Sequence, residues 1–108
     1  FSKGVAEACN EHNIPYFPGC VTPTEIMEAL EYGIKVVKFF PSNVYGGLKA
    51  INNLSKPFPQ VKFLPTGGVD ETNIDEYLSN DAIYAVGGSF MMKGDIVENC
   101  KKLAKWLN

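Results

Sequence analysis

Histidine is nearly missing from this chain: His12 is the single one in 108 residues. Its scarcity excludes a histidine-based metal cluster and a Ser-His-Asp triad, so any chemistry here rests on other groups. Cysteine is sparse as well. Cys9, Cys20 and Cys100 are odd in number and far apart, with no Cys-x-x-Cys spacing, which argues against a disulfide framework or a structural zinc. A reducing cytoplasm is the simplest setting for three such thiols. Long apolar runs are also lacking, none approaching the roughly 20 residues that span a bilayer, so no membrane partner is expected. The opening Phe1-Ser2-Lys3-Gly4 has neither the apolar core nor the cleavage site of a signal peptide. Charge of one sign is not in excess; a formal net charge of -2 offers nucleic acid no basic surface.

What is present is an apolar share of 45% with 20% charged residues, the profile of a folded domain rather than a disordered tail. Helix and strand signals alternate. Ser2 caps a first helix with Val5, Ala8, Cys9 and His12 on one face, and Asn13 stops it. Ile14-Pro15-Tyr16-Phe17 reads as a short strand closed by Pro18-Gly19. Thr22-Pro23-Thr24-Glu25 is a strong helix start, with a cap, a proline at the first position and a capping-box glutamate. Ile26, Met27 and Leu30 form the apolar side of that helix, and Gly33 suits its end. A second strand over 34–40 follows, stopped by Pro41. Leu48, Ile51 and Leu54 then stand at helical spacing, before a third strand at Val61-Lys62-Phe63-Leu64. A helix over 70–78, acidic in its first turn, presents Ile74, Tyr77 and Leu78 on one face. A fourth strand over 82–86 leads to Gly87-Gly88-Ser89. The last helix opens at Asp95 and turns Val97, Cys100, Leu103, Ala104 and Leu107 inward.

Four strands alternating with helices make an α/β fold whose connections suit parallel crossovers. The strands are apolar at nearly every position, as expected when both faces are covered. A small open sheet and half of a (β/α)8 barrel fit this spacing equally. Because the chain begins on a helix, it reads as the C-terminal half of a barrel, a single domain of which residues 1–108 cover the second four strands.

Lys38 is the most informative residue. Strand alternation sets Val36, Lys38 and Phe40 on one face and Lys35, Val37 and Phe39 on the other. Lys38 lies near the strand's C-terminal end, where barrels build their active sites. Burial disfavours an ammonium, and only a neutral amine attacks a ketone. The competing reading is a lysine paired with a buried carboxylate or snorkelling to solvent. Thr66-Gly67-Gly68 and Gly87-Gly88-Ser89 follow the last two strands, where barrel loops commonly hold phosphate on backbone N–H groups. Either pair also fits a tight strand-to-helix turn. Thr66 suits a hydrogen bond to a substrate oxygen or a turn. Pro18, Gly19 and Cys20 are expected along the same mouth, Cys20 as a small buried filler.

At Lys38-Phe39-Phe40-Pro41, Pro65-Thr66-Gly67-Gly68-Val69 and Gly87-Gly88-Ser89 the sequence closely resembles the KDPG (2-keto-3-deoxy-6-phosphogluconate) and 4-hydroxy-2-oxoglutarate aldolases. Ile14-Pro15-Tyr16-Phe17-Pro18-Gly19 and Thr22-Pro23-Thr24-Glu25 extend the likeness, so its order and spacing run along essentially the whole chain. The resemblance implies a class I aldolase, a lyase in which Lys38 forms a Schiff base with a 2-oxo acid. It assigns substrate contacts to Pro18, Phe40 and Thr66, and a phosphate group to Gly67, Gly68, Gly87, Gly88 and Ser89. It further implies a phosphorylated substrate, a cytoplasmic homotrimer, and no metal or organic cofactor. The family's glutamate acid/base and carboxylate-binding arginine sit on the first barrel strands and have no counterpart here. Ser42-Asn43 also departs from the small-residue-plus-glutamate pair of some members, leaving substrate preference open.

Overall fold

Two short parallel strands form the centre of the fold, in a computed structural model that describes residues 1–106. β1 (Val36–Phe39) and β2 (Lys62–Pro65) pair in the register Val36 to Lys62, Val37 to Phe63, Lys38 to Leu64 and Phe39 to Pro65. Residues 18–20 run parallel along the outer side of β1, bridged from Gly19 to Lys38. There the Lys38 N–H donates to the Pro18 carbonyl at 2.8 Å, and the Cys20 N–H to the Lys38 carbonyl at 2.9 Å. Beyond β2, Ile83 bridges Phe63 and Gly87 bridges Thr66, again in parallel.

The expected parallel order therefore holds, but two of the four expected strands are reduced to bridges. Each has a physical reason. Pro15 and Pro18 supply no N–H to a ladder, so the first segment pairs at 18–20 rather than over 14–17. In the last segment the register slips by one residue between the Phe63–Ile83 and Thr66–Gly87 bridges, as at a bulge.

The helices are α1 (Lys3–Glu11), α2 (Pro23–Glu31), α3 (Gly47–Ser55), α4 (Ile74–Leu78) and α5 (Ile96–Leu103), with 3-10 turns at Phe90–Met92 and Ala104–Trp106. Their ends follow the sequence closely. Thr22 and Glu25 form the reciprocal capping box of α2 with Pro23 in its first turn, and Gly33 beyond its end takes a φ of +74°. Ser2 and Asp95 accept the N–H groups of Val5 and Glu98, and Asn13 turns left-handed after α1.

α4 starts later than expected. Asp70 accepts from the Thr72 N–H at 2.8 Å and Asn73 accepts from the Asp70 N–H at 2.9 Å. These side chains hold residues 70–73 in a turn that competes with helix. α4 is instead tied at its exposed face, where Asp75 takes the Lys105 ammonium at 3.1 Å and the Trp106 indole N–H at 3.0 Å.

The core lies on one side of the sheet. Val37, Phe39, Val61 and Phe63 are fully buried against Ile26 and Ala29 of α2 and Ile51 of α3, with Phe39 and Phe63 edge-to-face at 6.1 Å. Three helical faces differ from expectation. In α1 Ala6 is the buried residue while Val5, Ala8 and His12 are exposed, and in α2 Met27 points out where Ala29 points in. In α5 Val97, Cys100 and Ala104 are exposed and Leu103 alone of the expected set packs on the core; Leu107 lies outside the described residues. A periodic stripe states which residues share a face, but not how much of that face finds a neighbour.

The sheet's other face is open and concave. Four parallel segments about 4.8 Å apart would hold the outer two some 14 Å from each other if flat. Phe17 and Tyr84, from those outer segments, bring their rings to 6.1 Å. The sheet therefore curls toward the face that carries Val36, Lys38 and Phe40.

Candidate active site

Lys38 is half-buried on that concave face, at the third position of β1. Its neighbours Val37 and Phe39 turn the opposite way into the core, so packing fixes the strand and leaves the amine facing the curl. The Lys38 Nζ stands 5.2 Å from the centre of the Phe40 ring, within reach of its π face. Lys35, at the start of the same segment, is exposed.

Phe40 leads to a cleft of about 330 Å³ whose other walls are Thr66, Gly67, Gly68, Val69, Gly88 and Ser89. The structure thus brings together six of the residues singled out in the sequence and adds Val69. Among the described residues, the N–H groups of Gly67, Gly68, Gly88 and Ser89 donate to no protein acceptor. Four unpartnered donors at one cleft are suited to an anion.

Glycine is required at two of these positions. Gly67 and Gly68 have φ of +102° and +74°. A Cβ on Gly67 would stand 3.1 Å from the Pro41 Cα, and one on Gly68 2.6 Å from the Asn43 Cβ. The loop after β2 is therefore seated directly on the loop after β1.

Two expected contacts fall elsewhere. Pro18 is fully buried on the core side with Cys20, and its carbonyl holds the Lys38 N–H; it supports the lysine's strand rather than walling the mouth. The Gly87 N–H donates to the Pro65 carbonyl at 2.9 Å, which removes it from the anion donors. A Cβ there would meet the Thr66 Oγ1 at 2.6 Å, so Gly87 serves close packing. Burial pushes the Cys20 thiol up to about 11, consistent with an inert filler.

In the sequence Ser42 stands out only as part of the Ser42-Asn43 departure, with nothing to show its partner. It is fully buried in the loop after the lysine strand, and its hydroxyl lies 2.9 Å from the Tyr77 hydroxyl of α4. Periodicity marks Tyr77 only as an apolar-face residue; the available signal is its phenol, which needs a partner when buried. A second hollow of about 250 Å³, between Asp70, Glu71, Lys93 and Lys102, mixes charges of both signs and touches no strand end. Among the described residues no group of three His, Cys, Asp or Glu is placed to hold a metal ion, and no helix is long and apolar enough to cross a membrane.

Residues 1–105 match the family model described as KDPG and KHG aldolase. A 2-dehydro-3-deoxy-phosphogluconate aldolase of Treponema pallidum (strain Nichols) is 42% identical over 92 residues, which cover 85% of this chain and 44% of that protein. The 2-keto-3-deoxy-6-phosphogluconate aldolase of Zymomonas mobilis ZM4, solved with 3-phosphoglycerate, superposes with a TM-score of 0.85 at 32% identity, over 97% of this chain and 51% of that one. A KDPG aldolase from Legionella pneumophila, with pyruvate captured at low pH as a covalent carbinolamine intermediate, superposes with a TM-score of 0.82 at 36% identity, over 94% and 49%. The chain spans about half the length of these relatives. With one family model matching residues 1–105, and solved members of that family superposing on the same helices and curled sheet, the chain belongs to the KDPG and KHG aldolase family.

Proposed function

We propose that this chain supplies the Schiff-base lysine and the phosphate-side loops of a class I aldolase built as a (β/α)8 barrel. The reaction is cleavage of 2-keto-3-deoxy-6-phosphogluconate, 4-hydroxy-2-oxoglutarate or both, giving pyruvate and an aldehyde. One observation carries the reading: Lys38 faces the concave side and meets, through Phe40, a cleft with four unpartnered N–H groups. The curl of the sheet and the half-length match to the relatives support residues 1–108 as the C-terminal part of a single barrel domain. The free thiols Cys9, Cys20 and Cys100 suit a reducing cytoplasm. The homotrimer rests on the family resemblance.

In this mechanism the Lys38 Nζ adds to the substrate's C2 ketone, and the carbinolamine loses water to give an iminium ion. The C3–C4 bond then breaks, with its electron pair moving toward the iminium nitrogen, while the C4 hydroxyl passes its proton to an acid/base group from outside residues 1–108 and becomes the aldehyde. The remaining enamine takes a proton at C3, and water adds to the iminium to release pyruvate and the free amine. In this reading Thr66 bonds a substrate oxygen and the N–H groups of Gly67, Gly68, Gly88 and Ser89 receive the phosphate, which their shared cleft supports. The carboxylate clamp comes from outside residues 1–108, which contain no arginine. Borohydride reduction with pyruvate tests the reading: the full-length protein is expected to gain one stable pyruvyl mass on Lys38. No mass gain, or a gain on another lysine, would overturn it.

The phosphate side has its own test. Alanine at Gly88 adds a Cβ 3.2 Å from both the Phe90 ring and the Val69 carbonyl, at the cleft wall. We expect Gly88→Ala to raise KM roughly tenfold or more for a phosphorylated substrate, the effect of weakening hydrogen bonds to a charged group. The unphosphorylated substrate should change far less. Equal changes on both would make the loop a structural turn only.

A further inference from the structure

We infer that the Ser42 hydroxyl, paired with Tyr77, is a positioning residue that sets the Gly67-Gly68 donors for the substrate's phosphate; this rests on the reading above. The observation is a closed circuit of hydrogen bonds around that loop. The Ser42 N–H donates to the Thr66 carbonyl at 2.8 Å and the Asn43 N–H to the Gly67 carbonyl at 3.3 Å, joining the loop after β1 to the loop after β2. From the other side the Asn73 Nδ2 donates to the Gly68 carbonyl at 2.8 Å. The circuit closes where the Ser42 Oγ meets the Tyr77 hydroxyl at 2.9 Å, tying α4 back to the end of the lysine strand.

Ser42 and Tyr77 are both buried, so each hydroxyl depends on the other for a partner. The contact leaves no slack nearby: a Cβ on Gly47 would stand 3.3 Å from the Tyr77 oxygen, and the Gly47 N–H is spent on the Ser42 carbonyl at 2.8 Å. Three carbonyls of the loop, at Thr66, Gly67 and Gly68, are thus occupied by residues that move with Ser42, Asn43 or α4. The N–H groups at 67 and 68 have no acceptor among the described residues, and both residues line the cleft. Preset donors bind an anion without first being ordered, which is where the affinity gain arises.

The test uses the full-length protein with Ser42→Ala, Tyr77→Phe and the double variant, titrated with inorganic phosphate by amide NMR. Each single variant is expected to weaken phosphate binding roughly three- to tenfold, the effect of one net hydrogen bond. The double variant should lose no more than the worse single, because both remove the same contact. Borohydride trapping of pyruvate on Lys38 should stay within about twofold in all three, since the amine lies outside the circuit. Phosphate affinity unchanged in both single variants, no phosphate binding by the wild type, or losses that add and follow the melting temperature would each overturn the inference. Failure of the wild type to trap pyruvate would overturn the aldolase reading instead, and the phosphate titration would still decide the role of Ser42.

Discussion

Replacing Lys38 with methionine in the full-length protein is expected to abolish pyruvate trapping and to lower turnover by on the order of 10³-fold or more, as removal of a covalent nucleophile does. The fold should survive, because Lys38 contributes no side-chain hydrogen bond or ion pair among the described residues and methionine matches its apolar stem. The alternative amines are distinguishable. Lys35 is exposed at the strand's opposite end, and Lys62, which shares the concave side, gives its ammonium to the Asp81 carbonyl. Peptide mapping after borohydride reduction checks the assignment; undiminished trapping in the variant, with the label on Lys35 or Lys62, would sink it. A melting temperature close to wild type would show that the loss is chemical.

Expressed by itself, the 108-residue chain is expected to be neither a stable monomer nor an active aldolase. Phe17, Phe40 and Tyr84 stand 45%, 54% and 60% exposed on or beside the concave face, and exposed aromatic rings of this kind favour association. The outer sides of segments 18–20 and 83–87 also lack a ladder partner among the described residues, which invites edge pairing. Chemistry suffers separately. No arginine is present to hold the substrate carboxylate, and loss of a positioned acid/base typically removes about 10²- to 10⁴-fold in rate. Some pyruvate trapping should persist, since imine formation needs mainly a neutral amine. Sedimentation and a coupled pyruvate assay decide the matter. A monomer with a cooperative melt and full-rate cleavage would show that no second half-barrel is needed.

Much of this arrangement was readable in the residues because local chemistry and final structure agree there. The Thr22-Pro23-Thr24-Glu25 cap, the Gly33 stop and the alternation of Lys38 against Val37 and Phe39 all depend on neighbours close in sequence. The cleft was legible for the same reason: Phe40, Thr66, Gly67, Gly68, Gly88 and Ser89 all lie at or just beyond strand ends. Other features were set at a distance. Pro18 reads as a mouth residue beside Gly19, yet which side of the sheet it faces is decided by pairing with Lys38. Gly87 and Gly88 look equivalent on paper, and only the Pro65 carbonyl separates the engaged N–H from the free one. The Ser42–Tyr77 contact spans 35 residues and follows no periodicity at all.

The clasp between α4 and the end of the described chain makes the molecule its own optical reporter. Trp106 is the sole tryptophan of residues 1–108, so the indole emission of this segment comes from the ring whose N–H sits on Asp75. The Lys105 hydrogen bond first, and the indole second, hold the Asp75 carboxyl below its ordinary range. A carboxyl lowered in this way keeps its partners above the usual aspartate value and releases them as pH falls through its own. The emission maximum should therefore stay constant from neutral pH to about pH 4 and shift only under stronger acid. Asp75→Ala, which removes the acceptor of the indole N–H, should shift it already at neutral pH. Fluorescence titration of these two proteins would reveal when the turn at Ala104–Trp106 lets go of α4, the helix whose Tyr77 reaches Ser42 beside the cleft.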